Sequence, residues 1–182
     1  MKKEQLLSAA LECGAKKAEL IDQSWIVLSR EFRAVCERND CGRYNLSWTC
    51  PPGSGDIEAC MARIRSFKRA LWYQSIAPLE DSFDLEGMTR AAQEHAGLSQ
   101  RIHTQAQRIL KQDFQHLSSA SCTLCENCTR PEGKPCRHPD RALPAMEGWG
   151  VDVYNTTKNT GLKYINGQNT VTYFGMVLFN ED

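Results

Sequence analysis

Four cysteines fall within fifteen residues in the segment CTLCENCTRPEGKPC, positions 122–136. Cys122, Cys125 and Cys128 recur at every third residue, and Cys136 follows after seven intervening positions. Thiolates at that spacing can turn inward from one loop while the backbone N–H groups between them stay free to reach sulfur. Such a cage suits a 4Fe-4S cluster, and Cys-x2-Cys-x2-Cys is the run that bacterial-type ferredoxins use. In those proteins the fourth cysteine follows closely, beside a proline, and ligates the other cluster. Here the gap is longer and Pro139 lies beyond Cys136, which lets Cys136 fold back onto the same group. Zinc is the alternative occupant, although zinc sites favour two separated cysteine pairs over a tight triple. A disulfide clasp is a third use of clustered thiols.

A second constellation lies upstream in CERNDCGRYNLSWTCPP. Cys36, Cys41 and Cys50 are more widely spaced, and Cys60 follows on the next predicted helix as a fourth ligand. Gly42 permits the close backbone approach that a thiolate cage needs. Tyr44 and Trp48 are placed to shield a bound group from water. The two constellations supply eight thiols, the number that two 4Fe-4S clusters require. Cys13 is left over and reads as a small buried apolar residue. An oxidised 4Fe-4S site with four thiolates carries a charge of about −2. Arg43, Arg130, Lys134 and Arg137, in or beside the loops, can offset it.

The elements that must position these loops read as α+β. A first helix is expected over about residues 3–14, stopped by Gly14. Residues 18–28 carry strand-like apolar runs, and 36–55 form a turn-rich cysteine loop. Ile57, Cys60, Met61 and Ile64 share one face of a helix over 57–67. ALWYQSI, residues 70–76, reads as a buried strand. The longest helical pattern covers 86–116, with a break or kink near Gly97. Pro144 opens a short helix that Gly148 or Gly150 ends. Asn166-Gly167 has the chemistry of a tight hairpin turn between two strands. Val171–Phe179 is apolar at nearly every position, which marks a strand interior to the sheet. The expected arrangement is a small mixed sheet flanked by helices, in one domain over residues 1–182. The cluster loops, 36–60 and 122–139, meet at one edge.

Composition bounds the partners. Lys plus Arg equals Asp plus Glu, 22 against 22, which argues against a nucleic-acid partner. No apolar run is long enough to span a bilayer. The charged residues Glu4, Glu12, Lys16 and Lys17 interrupt the N-terminal apolar stretch, so it does not read as a signal peptide. A cytoplasmic protein is expected. Its nine cysteines then point to metal or redox chemistry, because disulfides rarely persist in a reducing compartment. His95, His103 and His116 read as packed or solvated side chains, whereas His138 is placed to donate to a ligand sulfur. Glu80, Asp81, Asp84 and Glu86 read as a solvated turn.

The segments CGRYNLSWTCPP, CTLCENCTRPEGKPCRHP and AMEGWGVDV, with the NTVTYFGMVLF end, resemble a prokaryotic family of predicted metal-binding proteins, a domain-of-unknown-function family of about this length. The resemblance implies that Cys36, Cys41, Cys50, Cys122, Cys125, Cys128 and Cys136 are metal ligands, with iron–sulfur clusters as the metal. Cys60 fits the pattern less closely. The motif leads one to expect a serine at position 145, where this chain has Ala145. The resemblance implies no settled reaction. The reading is a soluble protein with two 4Fe-4S clusters that passes single electrons to an unidentified redox partner. Two alternatives remain at this stage: a reductase with a substrate-accessible cluster, and a zinc-stabilised interaction module without redox chemistry. Whether the chain is an enzyme stays open.

Overall fold

The computed structural model describes residues 2–181. The chain runs α1 (Lys2–Glu12), β1 (Lys17–Asp22), α2 (Glu31–Glu37), α3 (Ile57–Arg65), β2 (Arg69–Pro78), α4 (Leu85–Leu110), β3 (Phe114–Leu117), α5 (Val153–Lys158) and β4 (Thr170–Phe179), with three short 3-10 turns between them. The four strands form one sheet in the order β1-β2-β4-β3. The α+β class is as expected. The ladders are all antiparallel where a mixed sheet was expected. Parallel pairing is confined to the single bridge between Ser118 and Ala145.

Strand alternation divides the core. Leu71, Tyr73, Val177 and Phe179 face α1 and α4, where they meet Leu6, Ala10, Leu98, Ile102, Ala106 and Leu110. Ala70, Trp72, Phe174, Met176 and Leu178 face the other way, against Cys60 and Ile64 of α3 and against Met146, Trp149 and Val151. Helices therefore cover both faces, which is why Ala70–Tyr73 of β2 and Phe174–Phe179 of β4 read as apolar runs rather than as alternating ones. Each fully buried Leu or Ile stabilises this packing by roughly 1.5–3 kcal/mol.

Local signals set the helix ends. Asp56 caps α3 by accepting from Glu58 N–H at 2.9 Å and Ala59 N–H at 3.0 Å. Asp84 caps α4 by accepting from Gly87 N–H, so the acidic turn before α4 has a structural use. The chain leaves α1 through Gly14 at φ +108°, a conformation that glycine adopts without strain.

Three expectations are corrected. The long helix does not break at Gly97 but runs intact to Leu110, and residues 114–117 leave it to become edge strand β3. Lys111, in the left-handed region, ends the helix. The segment before Asn166-Gly167 is not a strand, so there is no hairpin; β4 pairs with β2 and β3 across the sheet instead. The first cysteine loop is not wholly irregular, because Cys36 sits on α2.

The second cysteine loop leaves β3 and is closed at its neck. Ser118 N–H donates to Pro144 O at 2.9 Å, and Met146 N–H donates to Ser118 O at 3.0 Å. The returning chain is tied in turn to the segment before α2: Ser29 N–H donates to Gly150 O, and Asp152 N–H donates to Val27 O. Both cysteine loops thus hang from one stretch, residues 144–152.

Candidate metal centre

All four cysteines of the second loop line one small cavity. Trp48, from the first loop, lines it as well. The indole N–H donates to Lys134 O at 3.1 Å and lies 3.3 Å from Thr129 Oγ1. The Arg130 guanidinium covers the indole at 4.7 Å from the ring centroid. Trp48 therefore shields the second group of thiols, not its own.

The other thiols assemble from separate elements. Cys36 comes from α2, Cys41 from an exposed turn and Cys50 from the buried end of the loop. Cys36 feels the charges of both Cys41 and Cys50. Cys60 is buried on α3 and donates its S–H to Ser54 O at 3.4 Å. It is tied to the group through Arg33, whose guanidinium lies beside both Cys36 and Cys60. Cys13 is half-buried beside the α1–α4 core.

Sequence reasoning missed Arg33. This residue is buried on α2, one helical turn before Cys36. It donates from Nη1 to Gly55 O at 3.0 Å and from Nη2 to Gly148 O at 2.8 Å. It thereby joins the first loop to the 144–152 stretch. The available signal was its spacing of three from Cys36, which on a helix puts both on one face. Glu147 was missed too; its carboxyl stands near Cys36, and burial raises its pKa.

The two loops interlock through hydroxyls. Cys122 N–H donates to Thr49 Oγ1 at 3.1 Å, and Thr49 is the covalent neighbour of Cys50. Ser121, just before Cys122, stands beside Cys50, where its hydroxyl favours the thiolate. In exchange, Ser47 favours the thiolate of Cys128.

Burial dominates the thiol chemistry. It raises Cys36, Cys50, Cys60 and Cys122 above the ordinary thiol range, against the opposing pull of Arg33 at Cys36 and Cys60. Cys128 goes the other way. Burial would raise it, but the N–H groups of Arg130, Trp48 and Thr129 and the Ser47 hydroxyl together outweigh that effect. Metal binding at protonated thiols releases their protons, so occupancy of such sites depends on pH.

Among the described residues no three His, Cys, Asp or Glu side chains are arranged to hold a single metal ion. What surrounds the thiols is a set of unpaired donors. Arg33 Nε, Ser54 Oγ, Arg130 Nε and Trp149 Nε1 are buried without an oxygen or nitrogen partner, and all lie in or against the two loops. Buried donors without partners are costly. An anionic, sulfur-rich group with lone pairs on every side fits that donor set.

His138 contributes its backbone, not its ring: its N–H donates to Cys136 Sγ at 3.4 Å. His95, His103 and His116 are buried and packed, as expected. Arg43 lies near Cys50 and pulls its pKa down. Lys134 pairs with Glu132, and Arg137 donates to Asn127 O.

A family model described as predicted metal-binding protein (DUF2284) matches residues 19–179. The chain belongs to this family. The DUF2284 match covers every cysteine of both loops and leaves out Cys13. No curated protein and no solved structure matches the chain.

Proposed function

We propose that the chain is an iron–sulfur protein, cytoplasmic and folded as one domain, that holds two 4Fe-4S clusters and passes single electrons to a partner protein. Cys122, Cys125, Cys128 and Cys136 would hold one cluster; Cys36, Cys41, Cys50 and Cys60 would hold the other. Such clusters, when bound, supply one-electron chemistry at potentials tuned by hydrogen bonds to sulfur, burial and nearby charge.

The observation that carries this reading is the interlock of two thiol groups amid unpaired buried donors. The chain's own residues do the tuning. Trp48 and Arg130 cover one side of the second site. The N–H groups around Cys128 favour its thiolate form. Arg33 places positive charge against Cys36 and Cys60. Thr49 links the two sites through one covalent step and one hydrogen bond, which supports transfer between them. No disulfide joins the cysteines of the two loops, which leaves their thiols available to a metal. No helix among the described residues is long and apolar enough to cross a membrane.

The test is anaerobic purification with iron, acid-labile sulfide and zinc counted per chain. About eight irons with matching sulfide are expected. A colourless protein carrying zinc and no sulfide overturns the reading. A reductase, in which a substrate meets one site directly, is favoured by a separate observation: Cys122 also lines a second, larger cleft.

A further inference from the structure

A different cleft, of about 390 Å³, opens between α4, the end of β2 and the turn after α1. That volume lies within the range of small-molecule sites. Among the described residues no cysteine lines it. Ser75 lines it and is half-buried. Behind Ser75 stands His95, which is 1% exposed. His95 Nδ1 lies 2.8 Å from Ser75 Oγ, and Nε2 lies 2.9 Å from Phe174 O. A carbonyl only accepts, so Nε2 carries the ring hydrogen and Nδ1 offers a lone pair. Ser75 therefore donates to His95. Tyr73 stacks against the imidazole at 5.8 Å and Tyr173 packs at the same distance, which fixes its plane. Burial keeps the ring in its neutral, accepting form. Nucleophile, base and a group that orients the base stand in the order that activates a serine.

The backbone supplies a donor beside that serine. Leu79 N–H bonds to Asn169 O, its neighbour across from β4, so odd-numbered residues of β2 bond toward β4 and even-numbered ones toward β1. Gln74 follows this alternation and accepts the Lys16 N–H on its carbonyl. The pairing of β1 begins only at Lys17 with Gln74, two residues short of Ile76. Ile76 therefore turns its N–H to the side where the sheet has no strand. Among the described residues that N–H has no partner, and Ile76 lines the cleft. The N–H of the residue after an activated serine commonly serves as an oxyanion donor.

Charge narrows the ligand. Lys16 and Arg101 line the cleft, with Glu94 as the opposing carboxylate. Arg101 is fixed by donating from Nε and Nη2 to Cys13 O, at 3.1 and 3.0 Å. Two cations against one carboxylate favour a substrate with a single negative charge.

We propose that this cleft is an acyl-transfer site that hydrolyses small esters carrying a carboxylate, with Ser75 as nucleophile, His95 as its base and the Ile76 N–H as oxyanion donor. Ser75 Oγ bonds to the ester carbonyl carbon as its proton passes to His95 Nδ1. The Ile76 N–H donates to the oxygen that becomes negative. The carbon–oxygen bond to the leaving group then breaks, and the leaving oxygen takes the proton from His95. Water repeats both steps on the acyl-serine and releases the acid. Lys16 and Arg101 hold the substrate's carboxylate. The site needs nothing that the cysteines bind, so it goes beyond the iron–sulfur reading and stands without it.

The test treats the full chain, as purified, with diisopropyl fluorophosphate and maps the product by peptide mass spectrometry. Label is expected on Ser75, and this readout needs no variant to fold. In parallel, 3-acetoxybenzoate, phenyl acetate and 3-acetoxyphenyltrimethylammonium are followed by acetate release in proton NMR. The anionic ester is expected to show about fivefold higher kcat/KM than the neutral one, and the cationic ester the lowest. Ser75→Ala is expected to lower kcat/KM at least about 100-fold. Lys16→Gln changes an exposed residue, leaves the Ser75–His95 pair in place, and is expected to erase the preference for the anion while Ser75 still takes the label. The proposal is overturned if Ser75 stays unlabelled, if Ser75→Ala hydrolyses the esters as the parent does, or if Lys16→Gln keeps the preference.

Discussion

The two cysteine loops gather their thiols by different routes. The second collects its four thiols from one short segment, and all four line a single cavity. The first takes its thiols from a helix, a turn, a loop end and a second helix, with Arg33 at the junction. A site built by close spacing depends on few tertiary contacts. A site gathered from distant elements depends on whatever holds those elements together, and here that is a guanidinium donating to two carbonyls.

The sharpest break of this comparison is removal of one proposed ligand from one loop at a time. Cys125→Ala is expected to halve the iron, from about eight to about four per chain, with the first site's signal retained. Cys41→Ala is expected to do the same in reverse. Loss of all iron from either variant, counted by metal analysis, would show that the loops form one inseparable site.

Arg33→Ala comes next. It removes a partly buried hydrogen bond to Gly55 O of the first loop and a buried one to Gly148 O of the 144–152 stretch. A loss of about 2–4 kcal/mol in urea unfolding is expected, together with loss of iron from the first site and retention at the second. Equal damage to both sites would erase the contrast drawn here.

The scaffold beneath the loops has its own pH dependence, which separates platform from site. Burial lowers His95 to about 4, against the hydrogen bond to Phe174 O that pulls the other way. The unfolded chain takes up a proton near pH 6.5, whereas the folded chain resists until about pH 4. Stability from this group is therefore full above pH 6.5 and lost as pH falls toward 4, by about 3 kcal/mol. Urea midpoints measured across that window should fall less steeply in His95→Gln than in the parent chain.

The smallest effect is expected at the seam. Thr49→Val keeps the shape and removes the hydroxyl that accepts from Cys122 N–H. Stability should drop by only about 1 kcal/mol and iron should stay bound. The magnetic interaction between the two proposed clusters in their reduced form, read by electron paramagnetic resonance, should weaken. An unchanged spectrum would mean that the seam holds the loops without coupling them.

The scaffold was largely legible in sequence where a residue's neighbours in space are its neighbours in the chain. The α3 face of Ile57, Cys60, Met61 and Ile64 and the apolar run of β4 were both readable, because local periodicity reports burial directly. The end of α4 was not readable. His103 and His116 continue a helical pattern, yet Lys111 turns the chain and β3 takes Phe114–Leu117 as partners for β4. Pairing with a distant strand decides that, and no local signal carries it. The Asn166-Gly167 turn misled for the same reason: the chemistry of a hairpin was present, but the strand before it had no partner.

For the sites, sequence alone determined which thiols exist and how tightly the second set is spaced. Spacing of three residues constrains a loop whatever surrounds it. Tertiary structure decided the rest. It moved Trp48 from its own loop to the other's thiols, set Arg33 between Cys36 and Cys60, and brought Thr49 to Cys122. Those contacts join residues far apart in the chain, and only packing both loops against one short returning segment brings them within hydrogen-bonding reach.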